Sequence, residues 1–159
     1  MTQLAKKIIE LIVDDETIEV SVRPHDLLVD ALRNGCCRTS VKEGCESAGC
    51  GACTVLIDGQ LALSCITLAI DAAGRKISTV QSMSPPEGPL HPLQESFLKH
   101  HAVQCGFCTP GMLLASAVLL ESTPSPSEEE IRSAISGNLC RCTGYVRIVR
   151  AVGEVGRTH

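Results

Sequence analysis

The 159-residue sequence predicts an α+β chain of two small domains, a strand-rich one over residues 1–82 and an all-helical one over residues 83–159. Three observations carry that reading. Residues 8–22 alternate apolar and polar side chains with the period of two that marks half-buried strands, and residues 54–64 place two apolar segments about the favoured turn Asp58-Gly59. From residue 93 onward the apolar residues recur at helical spacing instead. Between these regions, residues 81–92 hold four prolines and two serines, the composition of a linker.

In the first domain, Ile9, Leu11 and Val13 share one face, an acidic turn over 14–17 follows, and Ile18, Val20 and Val22 share the next, so a β-hairpin is expected. Beyond Pro24, Leu28, Ala31 and Leu32 fall at helical spacing, with Asp26 as the expected N-cap and Gly35 past the end. Residues 44–53 contain three cysteines and three glycines, as an irregular loop wrapped closely around something would. A second hairpin is expected about Asp58-Gly59, a favoured two-residue turn. Residues 66–73 then read as a helix stopped by Gly74, and residues 77–80 as a last short strand.

The second domain reads as four helices. Leu93, Phe97 and His101 share a face, and residues 112–120 are apolar nearly all round, as in a buried helix with Pro110 tolerated in its first turn. Ser127 and Glu130 form a capping box ahead of Ile131, Ala134 and Ile135, and Tyr145, Ile148, Val149 and Val152 form the last stripe. With one Tyr, two Phe and no Trp, both cores are aliphatic. Domains of this size draw only about 3 to 5 kcal/mol from an apolar core, so a metal that ties remote segments together would also act as a staple.

Eight of the ten cysteines fall into two sets of four. Cys45, Cys50, Cys53 and Cys65 follow a Cys-x4-Cys-x2-Cys pattern with a fourth cysteine further on, the spacing of plant-type [2Fe-2S] ferredoxins. Gly44, Gly49 and Gly51 are expected to adopt positive φ and turn backbone N–H groups toward the sulfurs. A structural zinc site is the competing reading, but such sites usually pair two short knuckles across a longer gap. Cys105, Cys108, Cys140 and Cys142 form a CxxC and a CxC whose spacing suits iron or zinc. Each pair precedes an expected helix, so two helix N-termini would face one anionic centre. The helical flanks argue against a thioredoxin-like use of Cys105-Gly-Phe-Cys108.

The stretches Lys42-Glu-Gly-Cys45, Cys50-Gly-Ala-Cys-Thr-Val55, Gln104-Cys-Gly-Phe-Cys-Thr-Pro-Gly111 and Asn138-Leu-Cys-Arg-Cys-Thr-Gly-Tyr145 resemble the small iron-sulfur subunit of the xanthine dehydrogenase family of molybdenum hydroxylases. The resemblance implies an N-terminal β-grasp, ferredoxin-like domain and a C-terminal four-helix bundle domain, each holding one [2Fe-2S] cluster. It implies two partners, a large subunit with molybdopterin in a dinucleotide form and a medium subunit with FAD, in a dimer of heterotrimers. By the same resemblance, the cluster on Cys105, Cys108, Cys140 and Cys142 lies nearer molybdenum, and Gln104 and Cys142 contact the pterin on the partner chain. The other cluster faces FAD. Where many relatives carry Leu-Thr-Gly-Thr, this sequence has Arg38-Thr-Ser-Val41, preceded by Cys36 and Cys37.

The expected function is single-electron transfer as one subunit of a molybdenum oxidoreductase, with a free-standing ferredoxin-like carrier or redox sensor as the alternative. Ser40-Val-Lys42 and Ala102-Val-Gln104 look like bacterial xanthine dehydrogenase small chains, which points to an N-heteroaromatic substrate such as a purine. The chain lacks a Ser/His/Asp constellation or a phosphate-binding glycine loop, so the substrate-converting site is expected on another chain. A formal charge of -4 without a basic stripe argues against nucleic acid. Glu10 interrupts the apolar N-terminal stretch and no run approaches membrane-spanning length, so a cytoplasmic protein is expected. Cys36 and Cys37 are expected to be bystanders. His100, His101 and the acids 128–130 are expected on helix surfaces.

Overall fold

The computed structural model describes residues 5–158; residues 1–4 and 159, which fall within the two domains expected from the sequence, lie outside them. The first half forms a five-stranded mixed sheet in the order β2-β1-β5-β3-β4. Strands β1 (Lys7–Val13) and β2 (Glu16–Val22) pair antiparallel with Val13 opposite Glu16. Only Asp14 and Asp15 are left for the turn, at φ 51° and 65°, the left-handed pair that a tight two-residue hairpin demands. The turn is thus shorter than expected, and Glu16 and Thr17 belong to the strand. Strands β3 (Thr54–Ile57) and β4 (Gln60–Leu63) form the second hairpin about Asp58 and Gly59, as the sequence predicts. Strand β5 (Lys76–Ser78) runs parallel to β1 and antiparallel to β3 and closes the sheet.

Helix α1 (Leu28–Asp30) continues as a π-helical turn over Ala31–Gly35, and its Leu28, Val29 and Leu32 are buried in the core beside Leu11, Val13, Val55 and Ile77. Asp26 does not cap it. Its carboxylate accepts from the Arg23 backbone N–H at 2.8 Å and from Arg23 Nε at 3.0 Å, which closes the turn around Pro24, and Leu27 occupies the cap position without a side-chain bond. Residues 66–73 depart further from expectation. Leu28 N–H donates to Thr67 O at 2.7 Å and Ala69 N–H to Asp26 O at 2.9 Å, so this backbone is bonded to the segment before α1. Only the 3₁₀ turns Ser64–Ile66 and Ala69–Ala72 remain of the expected helix.

The second half packs α2 (Pro92–Lys99), α3 (Thr109–Ser122), α4 (Glu128–Ala134) and α5 (Val146–Thr158) around Leu93, Phe97, Met112, Ile131, Ile148 and Val152. The Ser127 and Glu130 capping box forms as expected. Helix α2 carries a second one, in which His91 Nδ1 accepts from Leu93 N–H and Gln94 Oε1 accepts from His91 N–H. His101 and Tyr145 sit outside the helices with φ 51° and 66°, so neither continues its expected stripe. The proline-rich segment is tied at both ends: Asp14 accepts from Thr79 N–H and hydroxyl at 2.7 and 2.9 Å, and Ser84 Oγ donates to Gln94 Oε1 at 2.5 Å. Among the described residues no helix is long and apolar enough to cross a membrane.

Candidate metal centres

The irregular loop between α1 and β3 carries Cys45, Cys50 and Cys53, and the turn after β4 returns Cys65 to it. The four thiols meet in two pairs, Cys45 with Cys50 and Cys53 with Cys65. Depth separates them. Cys53 and Cys65 are buried, while Cys45 and Cys50 are partly exposed. Backbone N–H groups of Ser47 and Gly49 and the Ser47 hydroxyl hold the Cys45 thiol down to about 6, the Ser47 backbone contributing most. Burial pushes Cys53 and Cys50 up, against opposing bonds from the N–H groups of Cys65 and Ala52 respectively.

The glycines of this loop divide the work differently from the sequence prediction. Only Gly51 of the three has positive φ, at 68°; Glu46 and Ala48 supply the other left-handed residues, at 52° and 60°. Gly44 sits in a tight place, where a Cβ would lie 3.2 Å from both Cys50 Sγ and the Phe107 ring.

The second set repeats the pairing. Cys108, the residue before α3, meets Cys140, and Cys105 Sγ lies 3.5 Å from Cys142 Sγ. Cys108 is buried, whereas Cys105 and Cys142 are exposed. Burial pushes Cys108 up. At Cys140 burial acts upward too, but it is outweighed by the hydroxyl and backbone N–H of Thr143 and the N–H of Cys142. Thr143 Oγ1 donates to Cys140 Sγ at 3.1 Å. Tyr145 Oη accepts from Cys140 N–H at 2.8 Å, so this tyrosine braces the loop.

A two-iron cluster held by four thiolates takes two on each iron, and two pairs per set match that demand. Backbone and hydroxyl donors aimed at sulfur suit an anionic centre.

The two loops also touch. Leu139 N–H donates to Cys50 O at 2.8 Å, and buried Asn138 donates through Nδ2 to Gly51 O at 2.8 Å and to Thr54 Oγ1 at 3.3 Å. Around the second set lie exposed apolar side chains, Phe107 at 45%, Leu139 at 55% and Val146 at 46%, with Gln104 exposed beside Cys105. Asn138 and Leu139 fall within the last of the cysteine motifs, yet the sequence assigns neither a task. Their partners lie more than eighty residues away, and no local pattern reports that pairing. Cys36 is buried and Cys37 exposed, and neither joins a thiol set.

Residues 11–74 match the 2Fe-2S iron-sulfur cluster binding domain and residues 79–153 the [2Fe-2S] binding domain. The chain is 52% identical over 141 residues to the nicotine 6-hydroxylase small subunit of Paenarthrobacter nicotinovorans, covering 86% of this chain and 84% of that one. It is 45% identical over 144 residues to the nicotinate dehydrogenase small FeS subunit of Eubacterium barkeri, covering 91% of this chain and 91% of the relative. Among solved structures, quinoline 2-oxidoreductase from Pseudomonas putida 86 superposes with a TM-score of 0.89 at 45% identity, over 96% of this chain and 97% of its counterpart. Two cluster-binding domains in series, matched across nearly their whole length by small subunits of this kind, identify the chain as a member of the molybdenum hydroxylase family, as its small, electron-transferring [2Fe-2S] subunit.

Proposed function

We propose that Cys45, Cys50, Cys53 and Cys65 hold one [2Fe-2S] cluster and Cys105, Cys108, Cys140 and Cys142 the other, in domains spanning residues 1–82 and 83–159. The twofold pairing of thiols in each set carries this reading. The clusters supply one-electron storage; the chain supplies thiolates, donors to sulfur and a fixed separation.

The second set is the one directed at the large subunit's pterin. Its outer thiols, Cys105 and Cys142, are exposed within an apolar rim of Phe107, Leu139 and Val146, and Gln104 stands beside them. An exposed apolar patch of this kind is what a protein partner covers. The first cluster then serves FAD on the medium subunit, in a cytoplasmic dimer of heterotrimers. The substrate is an N-heteroaromatic. The names of the relatives favour pyridine-type rings over purines, since nicotine 6-hydroxylase matches at 52% and caffeine dehydrogenase at 42%.

Co-expression with the partner subunits tests this reading. Native purification should yield a complex containing molybdenum and FAD, and Leu139→Asp should release the small chain from it, because burying a charge against an apolar partner costs more than the ~1.5–3 kcal/mol a buried leucine contributes. A wild-type chain that elutes alone with both clusters would favour the diffusing carrier. Turnover of nicotinate but not xanthine would place the substrate in the pyridine class.

A further inference from the structure

We propose that Asn138 is a positioning residue for electron passage between the two centres, a role that rests on the ligand assignment above. The Leu139 N–H···O bond to Cys50 spans the two sets at 2.8 Å. Cys50 belongs to the first set, and Leu139 is the covalent neighbour of Cys140 in the second. One hydrogen bond therefore completes a bonded path from the Cys50 sulfur to the Cys140 sulfur. When an electron crosses, one centre is oxidised by one electron and the other reduced by one, and no bond forms or breaks. Contact along that path is what this junction controls.

Neither loop holds that contact by regular structure, since residues on both sides are outside strands and helices. Asn138 holds it. The side chain is 5% exposed and bonds, from the residue before Leu139, to the carbonyl of the residue after Cys50. Thr54 Oγ1 donates to the same Gly51 carbonyl at 2.6 Å, and Asn138 N–H donates to Ile135 O at 2.9 Å, anchoring the amide to the end of α4. The junction has no spare room. A Cβ at Gly51 would lie 2.3 Å from Gly137 O, and one at Gly111 would lie 2.5 Å from Gly51 O and 2.6 Å from Asn138 Nδ2. A buried amide satisfied across this seam belongs to neither apolar core; its bonds set where one loop lies against the other.

The test uses the assembled complex carrying Asn138→Ala or Gly111→Ala. Asn138→Ala removes the clamp; Gly111→Ala leaves Asn138 in place but wedges the same seam from α3. Rapid-freeze EPR after substrate addition follows each centre separately. Both variants should keep both signals, their iron content and their potentials, with the second centre reduced at the wild-type rate. Reduction of the first should lag severalfold behind wild type, because electron transfer slows as the contact between the two loops lengthens. Full clusters with no lag in Asn138→Ala would overturn the proposal. Should that variant lose a cluster, the same result in Gly111→Ala overturns it. Cys50→Ser and Cys140→Ser test the ligand assignment separately: if either retains both native signals, the assignment fails irrespective of Asn138.

Discussion

Tyr145 Oη stands 2.8 Å from the Cys140 backbone nitrogen and accepts its proton, with Tyr145 itself in a left-handed conformation at φ 66° ahead of α5. The ring thus reaches back over its own chain to brace a thiol-bearing loop. Tyr145→Phe keeps the ring and removes the acceptor. The expected cost is about 1 kcal/mol, the usual net value of one such bond, read as a lower urea midpoint for loss of the second cluster's absorption. An unchanged midpoint would show that the bond does not support the loop.

Gly51 and Gly59 separate backbone strain from steric exclusion. Both have positive φ, at 68° and 81°, but a Cβ at Gly59 meets nothing within 4 Å whereas one at Gly51 collides with Gly137 O. Gly59→Ala should cost about 1–2 kcal/mol, the left-handed penalty alone. Gly51→Ala should cost clearly more and make the seam between the halves accessible to protease. Equal urea midpoints for the two variants would refute this assignment.

Glu154 on α5 pairs with Lys99 and His100 at the end of α2, and Lys99 chiefly, then His100, holds its carboxyl below the ordinary range. A carboxylate whose folded pKa is depressed contributes stability that is fully present above its unfolded pKa, about 4.3, and is lost as pH falls through the lower folded value. The difference in urea midpoint between wild type and Glu154→Gln should therefore shrink as pH falls from about 5 toward 3. A difference that grows over that acid range would contradict the sign.

Cys36 and Cys37 should differ in reactivity although they are adjacent. Burial raises the Cys36 thiol above its usual range, so it stays protonated at neutral pH, and Cys37 is exposed. Brief iodoacetamide treatment of the cluster-loaded chain at pH 7.5, followed by mass spectrometry, should find Cys37 alkylated ahead of Cys36. Cys37→Ser should retain both cluster signals.

Both hairpins and four of the helices were legible because each depends on local chemistry: alternation over residues 8–22, a two-residue turn at Asp58-Gly59, a capping box at Ser127. The two cysteine sets stand out by spacing alone. The misreadings share a cause. Residues 66–73 carry helical spacing, yet Thr67 and Ala69 bond to residues 26–28 far back in the chain. Asp26 is a suitable cap by type, yet Arg23 captures it. In the loops around the cysteines, Gly44 sits in tight space without positive φ, and left-handed backbone falls to Glu46 and Ala48 as well as Gly51, the first two not announcing it by residue type. The bonds of Asn138 join positions 84 and 87 residues apart, a separation beyond any periodicity.

The place of β5 in the sheet has a consequence for biosynthesis. It is the strand between β1 and β3, so the two hairpins are not joined into one sheet until residues 76–78 have left the ribosome. The first cysteine loop is translated well before that. Pairings this distant in sequence form slowly, because chain-closure entropy must be met before the contacts reward it. The nascent chain therefore passes through an interval in which the thiols of 45–53 are made while the sheet that backs them is still two separate hairpins.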